Sequence, residues 1–484
     1  MSSQKIIIFG TGGKLRFERK VRAGLFEQFH IIAYLDNNDA RWGKEIDGVP
    51  IVSPARVHEF SYDKIVLMAD YVKDMWKQLA SLGVPPDRIL VWDQFFCMDR
   101  HGIFIEHGSQ VPAGHPLKKV LMISADLNYS GGAIAIWNAA KALSPKRYDV
   151  TVAAPDADVR LLREMTGRNI RVVIAPGIAY PQQEELDWIE QFDVVLVNVF
   201  PMIRCACVVS HYKPTVWWIH ESSGKYSRIY SLVRDNQWEF DDPGAMERLN
   251  IQAVSRKAQE NFNFYYASRI SEILPYGIPD TFSGNKGKAA QTCVFAVIGT
   301  VYPLKAQMLF LDAAEMLSKD GKKRAEFWII GACGKNAYAQ AVCEKAAAMP
   351  GVRILGELTQ EQMAEAYQEI DVVVCPSLEE TMSLTVTEGL MMGKVCIATE
   401  ETGIADYLTD GTDGLICRAG SVQSLYEKMR WVLENPDACR DIRADARKTY
   451  EKYFTMEAFG KRLEKVIEDT ERADQARREK REES

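Results

Sequence analysis

Short runs rich in β-branched residues alternate with longer helix-patterned stretches from one end of the chain to the other. That alternation constrains the fold more than any other feature. Lys5–Phe9, Ile31–Leu35, Lys64–Met68 and Ile89–Trp92 form a first series, which closes near Cys97. A second opens at Lys119–Ile123 and includes Val150–Ala154, Ile170–Ile174, Val194–Val199 and Thr215–Ile219. A third runs through Cys293–Ile298, Glu326–Ile330, Val352–Leu355, Val372–Cys375 and Val395–Ala398. Parallel strands need a crossover connection, usually a helix, so this pattern predicts βαβ units around parallel sheets.

Three such series also suit the length. At 484 residues the chain exceeds the roughly 250–300 at which a single hydrophobic core stops growing. The turn-rich stretch Asp99–Pro116 is the expected linker after the first unit, and the Gly/Pro/Ser/Asn/Lys-rich stretch Tyr276–Ala290 the expected hinge between the other two. The predicted organisation is α/β, with Rossmann-like units over 1–114, 115–280 and 281–470. From Glu471 five basic and five acidic side chains intermix, which predicts a solvated helix end or a frayed, charged tail over 471–484.

A formal charge of −7 argues against a partner bound by counterion release, so no nucleic acid is expected. Ten cysteines without paired spacing read as reduced thiols. No apolar run reaches the 18 or so residues of a membrane span, and Lys5 opens a strand without a signal-like segment before it. A cytoplasmic protein is expected, with peripheral contact at the inner membrane face left open.

The third series carries the most specific chemistry. Glu380 and Glu388 stand eight positions apart in Glu380-Thr381-Met382-Ser383-Leu384-Thr385-Val386-Thr387-Glu388-Gly389, after a strand ending at Pro376-Ser377. A helix starting at Ser383 or Leu384 would aim its free N–H groups above that strand end, where a phosphate is well placed. Glu388 would then lie about a turn inside the helix and Glu380 in the loop before it.

This segment, with Gly393–Thr399 and Thr402–Asp406 downstream, resembles the E-x7-E region of glycosyltransferase family 4. The resemblance covers roughly Lys118 to Lys465. It implies a GT-B fold with a central cleft, retaining transfer from a nucleoside-diphosphate sugar (UDP- or GDP-linked), and no obligatory metal or other cofactor. Glu388 would hold the ribose and Glu380 would lie by the transferred sugar. Met382, Ser383 and Leu384 would contact the donor.

Gly299 and Thr300 in Val297–Gln307 resemble the family's glycine turn, whose Arg and Lys hold the diphosphate. Lys305 matches the Lys, Thr300 replaces the Arg, and Ala306 replaces a Gly. Glu357 and Leu358 resemble the base-contacting loop. In the second series Gly131-Gly132 resembles the family's Gly-rich loop, and His220 after Val216–Ile219 its strand-end His beside the donor sugar. The acceptor class stays open among saccharide, lipid-linked and protein acceptors, as does the oligomeric state. Asp241-Asp242, beside Pro243, reads as a turn.

The first unit offers Gly10, Gly12 and Gly13 after a strand, and Asp36 at the end of the next, as a ribose-binding acid would stand. Leu15 occupies the third glycine position of the fingerprint. The unit resembles the small Rossmann domain found ahead of some bacterial sugar-modifying transferases, so a nucleotide pocket and a purely structural role are both open. Two rival functions follow: a nucleotide-sugar oxidoreductase or epimerase built on this unit, and a non-catalytic nucleotide-sugar-binding scaffold.

Overall fold

The computed structural model describes residues 4–21, 26, 29–69, 72–98, 100–108, 117–128, 130–143, 145–223, 244–266, 270, 272–281, 292–320, 325–334 and 336–482. Among the described residues three sheets are present. The first holds β1 (Lys5–Phe9), β2 (His30–Leu35), β3 (Glu45–Ile46), β4 (Val49–Val52), β5 (Lys64–Leu67) and β6 (Ile89–Val91). The second holds β7 (Ile105–His107), β8 (Lys118–Ile123), β9 (Tyr148–Ala154), β10 (Arg171–Ile174), β11 (Val194–Asn198), β12 (Thr215–Ile219) and β13 (Asn250–Ala253). The third holds β14 (Cys293–Ile298), β15 (Ala325–Ile330), β16 (Val352–Gly356), β17 (Val372–Cys375), β18 (Val395–Thr399) and β19 (Leu415–Cys417).

Strand order explains where sites can form. The sheets run β3-β4-β2-β1-β5-β6, β13-β12-β11-β8-β9-β10-β7 and β16-β15-β14-β17-β18-β19. Apart from the antiparallel edges β3 and β7, all pairings are parallel. Each sheet reverses direction beside its first parallel strand, between β1 and β5, β8 and β11, and β14 and β17. Crossovers leave to opposite sides at such a point and open a crevice at the strand C-termini. The central strands are buried along nearly their whole length, as Val194–Asn198 and Val395–Thr399 show, because helices cover both faces.

The helices between and after these strands include α1 (Gly13–Val21), α2 (Gly131–Ala142), α3 (Gln307–Lys319), α4 (Gln360–Glu369), α5 (Leu384–Met391) and α6 (Met456–Glu482). Each of α1, α2 and α5 follows a strand beside a switch point.

The boundaries differ from expectation in two places. The linker expected over Asp99–Pro116 contains β7, which pairs antiparallel with β10. Just before it, His101 Nδ1 and the Gly102 N–H each lie 2.9 Å from the buried carboxylate of Glu185, and Phe104 stacks on Trp188. The chain has thus joined the second sheet well before residue 114, and one sheet edge depends on that segment. Residues 109–116 lie outside the described residues, as do 282–290 of the expected hinge and Asp241-Asp242.

The C-terminal segment is the second place of difference. Residues 471–482 are not a separate tail but the end of α6, which returns to the middle unit and leaves the third. Phe459, Leu463, Val466, Ile467 and Thr470 repeat at helical spacing and are buried. Asn250 Nδ2 donates to Thr470 Oγ1 at 2.8 Å, and Arg477 and Arg478 donate to the carbonyls of Glu247 and Tyr212 at 2.8 and 3.0 Å. A Cβ on Gly460 would stand 2.6 Å from the Ala142 carbonyl oxygen, so this glycine lets α6 lie directly on α2. A charge-rich sequence conceals this docking because polar groups at the helix end bond to backbone carbonyls and not to a core.

Candidate functional site

The switch points of the second and third sheets face each other. At the third, Gly299 leaves β14 at φ +145°, and the chain turns through Pro303–Lys305 before α3 begins. At its partner strand β17, the loop through Glu379 and Glu380 leads to α5. Ser383 caps α5, accepting from Val386 N–H at 3.3 Å, so the helix proper starts at Leu384.

Lys305 Nζ forms an ion pair with Glu380, and Ser377 Oγ lies 3.4 Å from the same carboxylate. Burial works against the Lys305 charge, yet the adjacent Glu380 holds its ammonium above the ordinary value. Ala306 sits in the left-handed region at φ 52°, ψ 39°, a conformation a glycine adopts without cost. The structure therefore keeps the glycine geometry without the glycine. Thr300 is exposed; its carbonyl accepts from Gln307 Nε2 at 3.0 Å.

Across the cleft, α2 begins at Gly131-Gly132, capped by Ser130. A Cβ on Gly132 would come within 2.9 Å of Val199 Cγ1, so the approach of the β11 loop requires glycine there. Buried Asn198 ties the two loops together, donating to Ser124 Oγ at 3.1 Å and to the Gly132 carbonyl at 3.0 Å. Val199 itself holds φ 67°, ψ 152°, a region nearly reserved for glycine, between hydrogen bonds to Trp218 O and from Trp217 Nε1.

His220 follows β12. Its Nε2 is buried with no hydrogen-bond partner among the described residues, and burial pushes its pKa down to about 3. The ring lies 4.4 Å from Trp218, and its carbonyl accepts from Thr381 Oγ1 at 2.7 Å. The imidazole is thus neutral, and its unused nitrogen is itself buried at a residue that lines the cleft.

These groups line a recess of about 360 Å³ that includes Gly131, Gly132, Asn138, His220, Tyr276, Gly299, Lys305 and the stretch Glu380–Thr385, hence Met382, Ser383 and Leu384. A second recess, of about 720 Å³, shares Ile134, Asn138 and Leu384 with the first and holds Glu388, Tyr367, Lys141 and Arg168. Glu388 accepts from Tyr367 Oη at 2.7 Å; burial raises the Glu388 pKa, and the hydrogen bond only partly offsets it. Of the residues expected in the donor site, Thr300, Glu357 and Leu358 line neither recess. Glu357 is exposed, and Leu358 packs against the core.

Several participants escaped the sequence reading. Glu379, next to Glu380, accepts from Ser223 N–H and Oγ at 2.6 Å and from Asn261 Nδ2 at 3.0 Å, tying the loop before α5 to the middle unit. Ser255 and Lys257 reach Thr381 and Glu401 from the same side. Asn138 and Lys141 could have been found, since they continue the face of α2 at helical spacing from Ile134. The clasp around Glu379 could not, because its partners lie more than a hundred positions away.

The first unit is arranged differently. Gly10, at φ +108°, lets β1 approach the Met68 carbonyl, where a Cβ would stand 2.7 Å away; Gly12 and Gly13 face open space. Asp36 is buried and fully engaged. It accepts from Thr11 N–H at 3.0 Å and from its hydroxyl, from Arg41 Nη1 at 2.9 Å and from Asn38 N–H at 2.9 Å. Burial opposes its charge, but these bonds hold its pKa below the ordinary value.

Residues 280–449 match the family model described as glycosyl transferases group 1, and residues 2–90 the one described as C2185-like, N-terminal. Among solved structures, HepE of Anabaena in complex with UDP-glucose gives a TM-score of 0.61 at 15% identity, covering 72% of this chain and 99% of that one. The last two units form a GT-B fold. Sucrose-phosphate synthase of Thermosynechococcus elongatus shares the fold at a TM-score of 0.58 and 14% identity, covering 74% of this chain and 100% of that one.

Among curated proteins, a D-inositol 3-phosphate glycosyltransferase of Geodermatophilus obscurus is 32% identical over 138 residues, 27% of this chain and 31% of that protein. A second, from Catenulispora acidiphila, is 24% identical over 220 residues, 42% of this chain and 51% of that protein. The chain spans about a third to a half of the length of these two relatives. Among the described residues no helix is long and apolar enough to cross a membrane.

Proposed function

We propose that the protein is a retaining glycosyltransferase of family 4 type that moves a sugar from a UDP- or GDP-sugar to an acceptor hydroxyl in polysaccharide or glycoconjugate synthesis. The observation that carries this reading is the convergence of two facing switch points on one recess. There a Lys–Glu pair, a neutral histidine with a free nitrogen, and two helix N-termini all meet.

In this reading the third unit binds the donor and the second the acceptor. Glu388, set by Tyr367, accepts hydrogen bonds from the ribose hydroxyls. Lys305 faces the diphosphate and strengthens its interaction as negative charge gathers on the leaving group. Glu380 sits by the transferred sugar and fixes the lysine, while the N–H groups opening α2 and α5 add a positive field. His220, being neutral, can exchange hydrogen bonds with sugar hydroxyls without adding charge.

The test is thermal stabilisation by a panel of nucleoside-diphosphate sugars, then product analysis with the donor that binds. Ligand-linked stabilisation grows with the logarithm of ligand over Kd, so a true donor separates from the panel. Transfer with retained anomeric configuration is expected, and an inverted product would refute the retaining assignment.

The rival reading, a donor-binding protein without turnover, has one observation in its favour: Lys305 is already paired by Glu380 and Thr300 carries no charge. Binding without any transfer or donor hydrolysis would select it.

A further inference from the structure

The proposed donor site contains a charge deficit. Among the described residues of the smaller recess the charged side chains are Lys305 and Glu380, paired with one another, and His220 is neutral. A nucleoside diphosphate brings at least two negative charges and gains more as its bond to the sugar breaks. The donor half meets it with no net positive side-chain charge, since Lys305 is balanced by Glu380 and the third unit adds Glu361 and Glu388 in the larger recess.

The missing charge stands on the opposite wall. Lys141 continues the face of α2 that carries Ile134 and Asn138, the two α2 residues shared by both recesses. Its ammonium rests 4.7 Å from the centre of the Trp137 ring, and no carboxylate forms an ion pair with it among the described residues. Burial, and then the neighbouring Arg168, lower its pKa to about 8, with Glu164 opposing. A partly buried cation held beside a second cation is unfavourable until an anion arrives.

Distance also fits. Ten residues of helix put the Lys141 backbone about 15 Å beyond Gly131, but helical side chains lean towards the N-terminus. That brings the ammonium back over Trp137, one turn nearer the start of α2, in the recess that also holds Glu388 and that meets the smaller one at Ile134, Asn138 and Leu384.

We infer that Lys141, backed by Arg168, is a diphosphate-binding cation supplied by the acceptor half, engaging the phosphate nearest the ribose. This rests on the donor site proposed above. Charge is then delivered from both sides of the cleft, so donor binding draws the halves together.

The experiment measures the affinity of the full chain for UDP and GDP by calorimetry, in wild type, Lys141→Met and Lys141→Arg. For whichever diphosphate the wild type binds, Lys141→Met should raise Kd roughly 10- to 100-fold, the range of a charge-assisted bond of about 1.5–3 kcal/mol. Lys141→Arg should stay within about threefold. Wild-type affinity in Lys141→Met overturns the inference. So does an equal loss in both variants, which would make the stem and not the charge important. A wild type that binds neither UDP nor GDP removes the donor site itself, and this inference with it.

Discussion

The first and third sheets present the same local device with opposite use of its bonding capacity. In both, a glycine leaves the first parallel strand at positive φ beside a switch point, and acidic side chains stand nearby. In the first, the Asp36 carboxylate accepts from Thr11, Asn38 and Arg41, all within the same unit. In the third, Glu388 receives one bond from Tyr367, and Glu380 shares its charge with a lysine that lines a recess. A motif marks where a ligand could sit; whether its polar groups are already satisfied distinguishes a site from a scaffold. That contrast can be tested one residue at a time.

The largest effect is expected at Lys305. Its loss leaves Glu380 unpaired in the recess, so the diphosphate meets a repulsive carboxylate in place of a cation. Lys305→Ala should lower kcat by about 10²–10³-fold, the scale of losing one transition-state donor. Steady-state kinetics with the donor from the thermal panel will show it, and an unchanged kcat would dissociate Lys305 from the leaving group.

Glu388 should come next and differ in kind. Ribose hydroxyls keep their charge throughout the reaction, so Glu388→Gln should act on donor Kd, by about 10- to 100-fold, with kcat little altered. A fall in kcat at constant Kd would move Glu388 out of the ribose role.

His220 gives a pH-dependent contrast. Its folded pKa is depressed from 6.5 to about 3, so the unfolded chain takes up a proton that the folded chain refuses. The stability contribution is fully present above pH 6.5 and is lost as pH falls from 6.5 towards 3. His220→Gln should flatten thermal stability across that window while slowing transfer. A melting profile as acid-sensitive as wild type would show that His220 is not buried neutral.

Much of this was legible in the sequence because its causes are local. Strand runs buried on both faces read as continuous apolar stretches, and β1, β2, β5, β6, β8–β12 and β14–β18 fall where those runs predict, whereas the parallel strands β4, β13 and β19 are not among them. Glycine turns and the Ser383 cap are likewise short-range. The edges were not legible. β7 is three residues long with two of them exposed, so it carries no hydrophobic pattern, and its identity comes from pairing with β10. The docking of α6 and the clasp at Glu379 depend on distant partners. The state of Asp36 depends on Arg41, whose proximity says nothing about whether it caps the acid or leaves it open.

Asp36→Asn tests the sealed side of the comparison. The substitution keeps shape but removes the charge that Arg41, Thr11 and Asn38 surround, weakening several charge-assisted bonds at once. A loss of about 1–3 kcal/mol is expected, confined to the first unit and read as lower protection of its amides in hydrogen exchange. Donor affinity and kcat should not change. A reduced donor affinity would show that the first unit takes part in nucleotide binding.

The smallest effect is expected at Ala306, between the proposed phosphate lysine and α3. Its left-handed conformation costs an alanine about 1–2 kcal/mol, which a glycine avoids. Opposing this, glycine adds unfolded-chain entropy worth about 0.4–1 kcal/mol and gives up one buried methyl, about 0.8 kcal/mol when fully buried. The terms nearly cancel, leaving Ala306→Gly within about 1 kcal/mol of wild type by chemical denaturation. A β-branched side chain has no such compensation, since it retains the strain and adds bulk against the turn. Ala306→Val should therefore be clearly less stable than Ala306→Gly and should displace Lys305, lowering kcat. Equal stability and kcat in the two variants would mean that the turn relaxes freely, and that the geometry of Lys305 is set by its pairing with Glu380 and not by the backbone that carries it.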